Sequence, residues 1–427
     1  MKLPRILTAL AVAVCVSGLS SPAATAVPPE FVPLQESGVV TKIADGDTIY
    51  VLPDGGSTPI KVRFLGVNAP EVAGFKNVHF DHDFCGGPEA TRLTASLLPI
   101  GTRVELRSLD KASSNRGRLL RYVYGQNPQT GLFDVDAAAA LATAGLANWF
   151  TVDGESTHSY DYRLLIDEAQ RAGRGIWDPS FCGPVEQPDA RPKLTIVWNA
   201  PGADAANLNG EYVVLRNNGL APLNLSGWLL RDSSLTGWYF FPEGTVLVPG
   251  DFLVAHTGCG INGQPTARDY YLCADAPLFP NTSATEFLGD EALLLDRNTA
   301  IRAFDIYPCS TDCTDPLTGK LVISKVNAKS TSPRPSVAAN EEFVDVTNVS
   351  TETLALDGYY LRRKVSSYPF LAGTVLAPGE RVRVRIGKGP QSVHRQYWGQ
   401  DRPLLTNRHD RVQLLSNKDV VISTVAW

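Results

Sequence analysis

The sequence predicts a mainly β protein, built as an α+β barrel followed by two β-sandwiches. Its 427 residues exceed what one hydrophobic core supports, and at about 100–200 residues per domain they imply two to four domains. Two Pro-rich joints, residues 182–192 and 309–320, cut the chain into three segments. The second and third segments repeat each other, and both consist of short runs of alternating apolar residues bounded by Asn, Gly and Pro. With 44% hydrophobic and 19% charged residues the chain is too apolar for disorder and too poor in charge for a coiled coil.

Residues 1–26 read as a secretory signal peptide. Lys2 and Arg5 precede an apolar run from Ile6 to Val16, and small residues close it at Ala24-Thr25-Ala26. The following Val27-Pro28-Pro29 cannot continue a helix. No other window approaches a membrane span, so the mature chain is expected to have none, and a secreted, extracellular or cell-surface-associated location is expected. Six cysteines then remain: Cys85, Cys182, Cys259, Cys273, Cys309 and Cys313. An even number in an exported chain favours disulfides. Six cysteines allow 15 pairings; grouping by domain suggests Cys85 with Cys182, Cys259 with Cys273, and Cys309 with Cys313.

In the first segment, residues 31–183, Val39–Ile43, Thr48–Leu52 and Ile60–Val67 are short β-prone runs separated by Asp-Gly turns. Val104–Leu106 and Leu119–Tyr124 supply two more. Pro88-Glu89-Ala90 opens a helix, with proline where its missing N–H costs nothing. A second helix, Tyr160–Arg171, places Leu164, Leu165, Glu168 and Ala169 at helical spacing until Gly173 and Gly175 end it. Five strands with intervening helices fit a barrel of the oligonucleotide-binding type.

The sandwiches are predicted over residues 192–310 and 321–427. Glu211-Tyr212-Val213 and Leu223-Asn224-Leu225-Ser226-Gly227-Trp228-Leu229-Leu230-Arg231 return as Glu342-Phe343-Val344 and Leu354-Ala355-Leu356-Asp357-Gly358-Tyr359-Tyr360-Leu361-Arg362. Gly-Thr-Val-Leu-x-Pro-Gly follows in both, at 244–250 and 373–379. These motifs resemble the lamin-tail domain, which implies an immunoglobulin-like sandwich and says little about function.

Four clusters in the first segment carry chemistry: Asp45-Gly46-Asp47-Thr48, Arg63 through Glu71, Gly86-Gly87-Pro88-Glu89-Ala90 and Asn115-Arg116-Gly117-Arg118. Carboxylates beside arginines suit metal-assisted attack on a phosphodiester, because hard cations take oxygen ligands and guanidinium forks neutralise phosphate charge. With Glu168-Ala169-Gln170 and Gly175-Ile176-Trp177, the ordered set resembles the staphylococcal nuclease (thermonuclease) family over residues 38–178. The resemblance implies Asp47, Asn68 and the Ala69 carbonyl as Ca²⁺ ligands, Arg63 and Arg118 on the scissile phosphate, and Glu71 as general base. Asn68 stands where the family has an aspartate. It keeps an oxygen but drops a charge, so Asn68→Asp is expected to lower the Ca²⁺ requirement. Asp45 reads as a turn residue, Glu89 as support for a helix start, Arg116 as a candidate phosphate contact, and His79, His82 and His158 as surface or hydrogen-bonding residues.

Net charge is −4 over 31–183, −6 over 192–310 and +6 over 321–427. The last segment alone can draw a polyanion by net charge. Arg381, Arg383 and Arg385 alternate on one predicted strand face, and Tyr359, Tyr360, Tyr397 and Trp398 offer stacking. They make the third domain a candidate tether to nucleic acid or to an anionic cell-surface polymer, beside the plainer reading of a solvated cationic face. The middle domain reads as a spacer or protein-contact module. The expected whole is a secreted Ca²⁺-dependent endonuclease cutting DNA and RNA without sugar preference; the alternative is a non-catalytic nucleic-acid or cell-surface binding protein.

Overall fold

Alternating apolar residues become strands wherever their inward faces can meet, and the chain does this three times in succession. The structure is a computed structural model that describes residues 34–73, 82–110, 112–115, 117–200, 202–234, 236–264, 266–283 and 285–427. The signal peptide, His79 and Arg116 lie outside the described residues.

The first domain comprises β1 (Leu34–Ile43), β2 (Thr48–Pro53), β3 (Ile60–Phe64), β4 (Val67–Asn68), α1 (Gly87–Leu97), β5 (Arg103–Ser108), β6 (Ser114–Asn115), β7 (Arg118–Gln126), β8 (Phe133–Asp136), α2 (Ala137–Ala144), β9 (Asn148–Trp149) and α3 (Ser159–Arg171). The main sheet runs β3-β2-β1-β5-β7, a parallel pairing of β3 with β7 closes it into a five-stranded barrel, and the short strands β6 and β8 extend from β7. Val40, Ile49, Val51, Val62, Phe64, Val104 and Leu106 fill its interior. The strand expected to reach Val67 stops at Phe64, because Gly66 turns at φ +82° with the Tyr162 ring against its Cα. Helix α2 was not among the expected elements. Its Ala-Ala-Ala-Ala-Leu run carries no amphipathic period, and the termini define it: Asp136 accepts the Ala139 N–H at 2.9 Å, and Gly145 closes it at φ +67°.

The first sandwich comprises β10 (Pro192–Val197), β11 (Tyr212–Asn217), β12 (Leu223–Asn224), β13 (Leu229–Asp232), β14 (Trp238–Phe240), β15 (Val246–Leu247), β16 (Phe252–His256), β17 (Asp269–Tyr271), β18 (Asp290–Leu295) and β19 (Ile301–Tyr307). The second comprises β20 (Leu321–Asn327), α4 (Pro335–Glu341), β21 (Phe343–Asn348), β22 (Leu354–Ala355), β23 (Tyr360–Arg363), β24 (Ser366–Pro369), β25 (Val375–Leu376), β26 (Arg381–Arg385), β27 (Arg395–Tyr397), β28 (Arg411–Leu415) and β29 (Val421–Ala426). The two have the same topology: β10-β11-β16-β17 over β14-β13-β18-β19, and β20-β21-β26-β27 over β24-β23-β28-β29. The repeated glutamate explains itself structurally. Fully buried Glu211 accepts the Leu278 N–H, and Glu342 accepts those of Leu404 and Leu405 at 2.8 and 3.0 Å, so each pins an otherwise unpaired loop backbone.

The disulfides join Cys85 to Cys182, Cys259 to Cys273, and Cys309 to Cys313. Among the described residues no helix is long and apolar enough to cross a membrane.

The middle domain is not a free spacer. Leu229, Leu293, Leu295 and Ile306, on the outer face of its β13–β18–β19 sheet, are buried in the same apolar cluster as the barrel core. Polar contacts rim that seam: Cys85 N–H to Thr299 Oγ1 at 2.7 Å, Thr151 Oγ1 to Gly289 O at 2.6 Å, and Ser159 Oγ to Phe287 O at 2.6 Å. Four large apolar side chains removed from water, at about 1.5–3 kcal/mol each, make this an integral interface.

Candidate active site

The site forms where the barrel closes. In the β2–β3 pairing Thr48 lies opposite Arg63, and in the parallel β3–β7 pairing Arg63 lies beside Leu120, two residues on from Arg118. Arg63 and Arg118 therefore come from adjacent strands, and the Asp45-Gly46-Asp47 turn enters β2 next to Arg63. Gly46 is required there by close approach, since a Cβ would lie 2.6 Å from Ala90 Cβ and 2.7 Å from Ala69 Cβ. Asp45 is the turn residue expected, its Oδ1 accepting the Asp47 N–H at 3.1 Å.

Asp47, Arg63 and Asn68 are each 5% exposed or less. Asp47 Oδ2 takes Arg63 Nη1 at 2.5 Å and the Ala69 N–H at 2.6 Å, and Oδ1 accepts from Thr48 at 3.0 Å. Arg63 Nη2 donates to Asn68 Oδ1, and the guanidinium lies 5.5 Å from the Phe150 ring centre. Asp47 and Asn68 thus converge their oxygens on one cation, here the arginine itself. Two hard oxygens facing a common positive centre fit Ca²⁺ in donor chemistry. Ala69 touches Asp47 through its N–H rather than its carbonyl. Among the described residues no three His, Cys, Asp or Glu side chains cluster closely enough to bind a metal by themselves.

The electrostatics place Glu71 and Arg118 in the same cluster. Burial, then the Asp47 charge, pushes the Glu71 carboxyl above its ordinary value, while Arg63, Arg231 and Arg118 pull it back. Burial and the Arg63 charge lower Arg118, against Asp47, Asp45 and Glu71. Asp45 is raised to about 7 by burial, Asp47 and Glu71. Arg118 makes two long hydrogen bonds to Asn115, Nε to the carbonyl at 3.4 Å and Nη2 to Oδ1 at 3.3 Å. The loop carrying Glu71 is clamped: its carbonyl accepts the Phe84 N–H at 2.9 Å, and Gly87, at the start of α1, packs directly on that carbonyl.

The other expected residues lie elsewhere. His158 bridges aromatic residues, its Nε2 2.9 Å from the Tyr124 hydroxyl. Arg381, Arg383 and Arg385 do share one face of β26, but Arg381 and Arg383 both bind the buried Asp345 carboxylate, at 3.1 and 2.7 Å, and Arg385 donates to the Asn340 carbonyl. Two contributors were missed, Arg231 and Ser233 of the first sandwich. Arg231 ends the repeated Gly-Trp-Leu-Leu-Arg motif, so the signal was visible, although its direction was not.

Family models match this arrangement. The staphylococcal nuclease homologue model matches residues 61–179, and the lamin tail domain model matches 187–306 and 314–427. The chain belongs to the lamin tail domain family and carries a staphylococcal nuclease homologue domain ahead of its two copies. Over 154 residues, 35% of this chain, it is 27% identical to Endonuclease YhcR of Bacillus subtilis (strain 168). The match spans 12% of that protein's length. The nuclease homologue domain and this relative support a nuclease. Asp45 and Asp47 precede the matched stretch, yet the β2–β3 register brings them into the same barrel as Arg63.

Proposed function

We propose that this chain is a secreted, Ca²⁺-dependent endonuclease that hydrolyses phosphodiester bonds of DNA and RNA. The observation carrying the reading is the convergence of Asp47, Arg63, Glu71 and Arg118 in one electrostatic cluster at the barrel seam. Ca²⁺ held by oxygens of Asp47 and Asn68 would supply Lewis-acid polarisation of a phosphoryl oxygen. Arg63 and Arg118 bind the non-bridging oxygens and offset the charge that builds on them. Glu71, whose carboxylate burial makes more basic, takes the proton of the attacking water. The roles assigned to these groups are all toward phosphate or water, the parts DNA and RNA share, which supports cleavage of both nucleic acids. Three disulfides and the signal-like leader support export to an oxidising compartment.

The test is cleavage of supercoiled plasmid and of single-stranded RNA by the full chain with Ca²⁺, with chelator, and by Glu71→Ala. The expected result is nicking of both substrates, lost with chelator and lost in the variant. Cleavage that survives Glu71→Ala would overturn the assignment.

A further inference from the structure

One loop of the first sandwich reaches the nuclease centre. Asn68 Nδ2 donates to the Ser233 carbonyl at 2.8 Å, 165 residues further along the chain, while Asn68 Oδ1 accepts from Arg63. A carbonyl takes only a donor and a guanidinium offers only donors, so these partners fix which end of the amide faces which way. The Ser233 carbonyl is held in turn. Arg231 donates to it from Nη2 at 2.6 Å and to the Asp232 carbonyl from Nε at 2.8 Å. Arg231 is 2% exposed, and Asp232, Glu291 and Asp290 surround its charge. The seam against Pro70, Phe84 and Asn148 encloses about 10 Å³, room for one water at most.

The duplicated domain supplies an internal control. Arg362 occupies the position of Arg231 in the second copy, at the same strand register, and there it is partly exposed and pairs with Asp419 at 2.7 Å. The fold does not itself demand an arginine that braces a neighbouring loop. The first copy, which meets the barrel, uses its arginine in that way, and the second does not.

We propose that Arg231 and Ser233 are positioning residues of the nuclease, with the first lamin tail domain locking Asn68 so that its oxygen, rather than its NH2, faces Arg63 and the cation side of the centre. The proposal rests on Asn68, Arg63 and Glu71 forming the phosphodiesterase centre. It accounts for asparagine where the family has aspartate: a carboxylate at 68 would set an oxygen against the Ser233 carbonyl oxygen, now a 2.8 Å hydrogen-bond partner. On this proposal Asn68→Asp slows the reaction whatever its added charge does to the Ca²⁺ requirement.

The test compares the oxidised full chain with Glu71→Gln, Asn68→Asp, Arg231→Lys and the Asn68→Asp/Arg231→Lys double variant, by initial rates on supercoiled plasmid across Ca²⁺ concentrations and by thermal melting. Asn68→Asp is expected to lower kcat at least about 10-fold at saturating Ca²⁺, with Tm lowered by about 2–6 °C because one buried hydrogen bond is lost while the fold persists. Arg231→Lys, which keeps the charge but not the fork, loses less. The double variant is no slower than Asn68→Asp alone, since both act through one contact. An Asn68→Asp chain as active as the parent, or losses that multiply, would overturn the positioning role while Glu71→Gln still reports the nuclease reading. A parent that does not cleave, or an active Glu71→Gln, removes that reading and this proposal with it. Asn68→Asp decides the matter by rate even if Arg231→Lys does not fold.

Discussion

Gly87→Ala isolates the effect of moving Glu71 without touching any charged group. A Cβ at position 87 would sit 2.5 Å from the Glu71 carbonyl oxygen and 3.1 Å from its carbonyl carbon, where ordinary contact begins at 3.4 Å. Both are backbone atoms, so no side-chain rotation relieves the overlap and the Pro70-Glu71 segment must retreat by about 0.9 Å. A displacement of about 1 Å in a group that aligns the attacking water costs about 100-fold in rate. Stability falls less, because about 1–3 kcal/mol of overpacking is offset by about 0.5–1 kcal/mol gained when alanine replaces glycine in a helix. Initial rates on a fluorescent DNA oligonucleotide, read beside thermal melts, test this. Gly101→Ala is the control: position 101 has φ +94° but nothing within 4 Å, so alanine there strains the backbone and leaves kcat/KM alone. A Gly87→Ala enzyme within about twofold of the parent would refute the clamp on Glu71.

Leu293→Ala, which opens a cavity in the seam between barrel and first sandwich, should cost about 2–5 kcal/mol by chemical denaturation and lower activity with it. Arg383→Ala leaves the buried Asp345 carboxylate with Arg381 alone. It should destabilise by about 1–3 kcal/mol while barely moving the salt dependence of DNA binding, and a large change in salt slope would show that the β26 arginines do contact phosphate. Glu211 is raised to about 7 by burial and by Asp204, so its folded form holds a proton that its unfolded form has lost. That contribution is complete below about pH 4.5 and vanishes as pH rises through 7, about 3 kcal/mol in all, and Glu211→Gln should flatten the pH–stability curve over that interval.

The site was legible where chemistry is written in short motifs and obscure where it depends on docking. Asp47 and Arg63 stand beside the Gly46 and Gly66 turns, where a Cβ would collide with its neighbours, and the β2–β3 and β3–β7 registers set Arg63 between Thr48 and Leu120, two residues from Arg118. Gly87 was visible as a motif residue, but that it packs on the Glu71 carbonyl depends on where α1 lies against the loop after β4. The arginine alternation on β26 correctly gave a shared face. It did not give Asp345, which reaches that face from β21, its register putting it opposite Arg383. Helix α2 escaped because a uniformly small, apolar run has no period to read.

The largest illegible feature, the docking of each sandwich on what precedes it, follows from a single cross-strand pair. Leu229 faces Leu295 across β13–β18, and Tyr360 faces Leu415 across β23–β28, at equivalent places on the same outer sheet face. The first pair is buried against the barrel core, the second against the first sandwich, beside Trp198 and Tyr307. Alternation in sequence says only that such residues leave their own core; it does not say whether water or another domain receives them. One register step further the copies diverge. Arg231 and Leu293 are sealed in the nuclease seam, whereas Arg362 and Gln413 remain partly exposed. The two copies therefore share the place of the docking pair, Leu229 with Leu295 and Tyr360 with Leu415, and differ in the next row, where Leu293 faces the nuclease barrel and Gln413 stands at the same register.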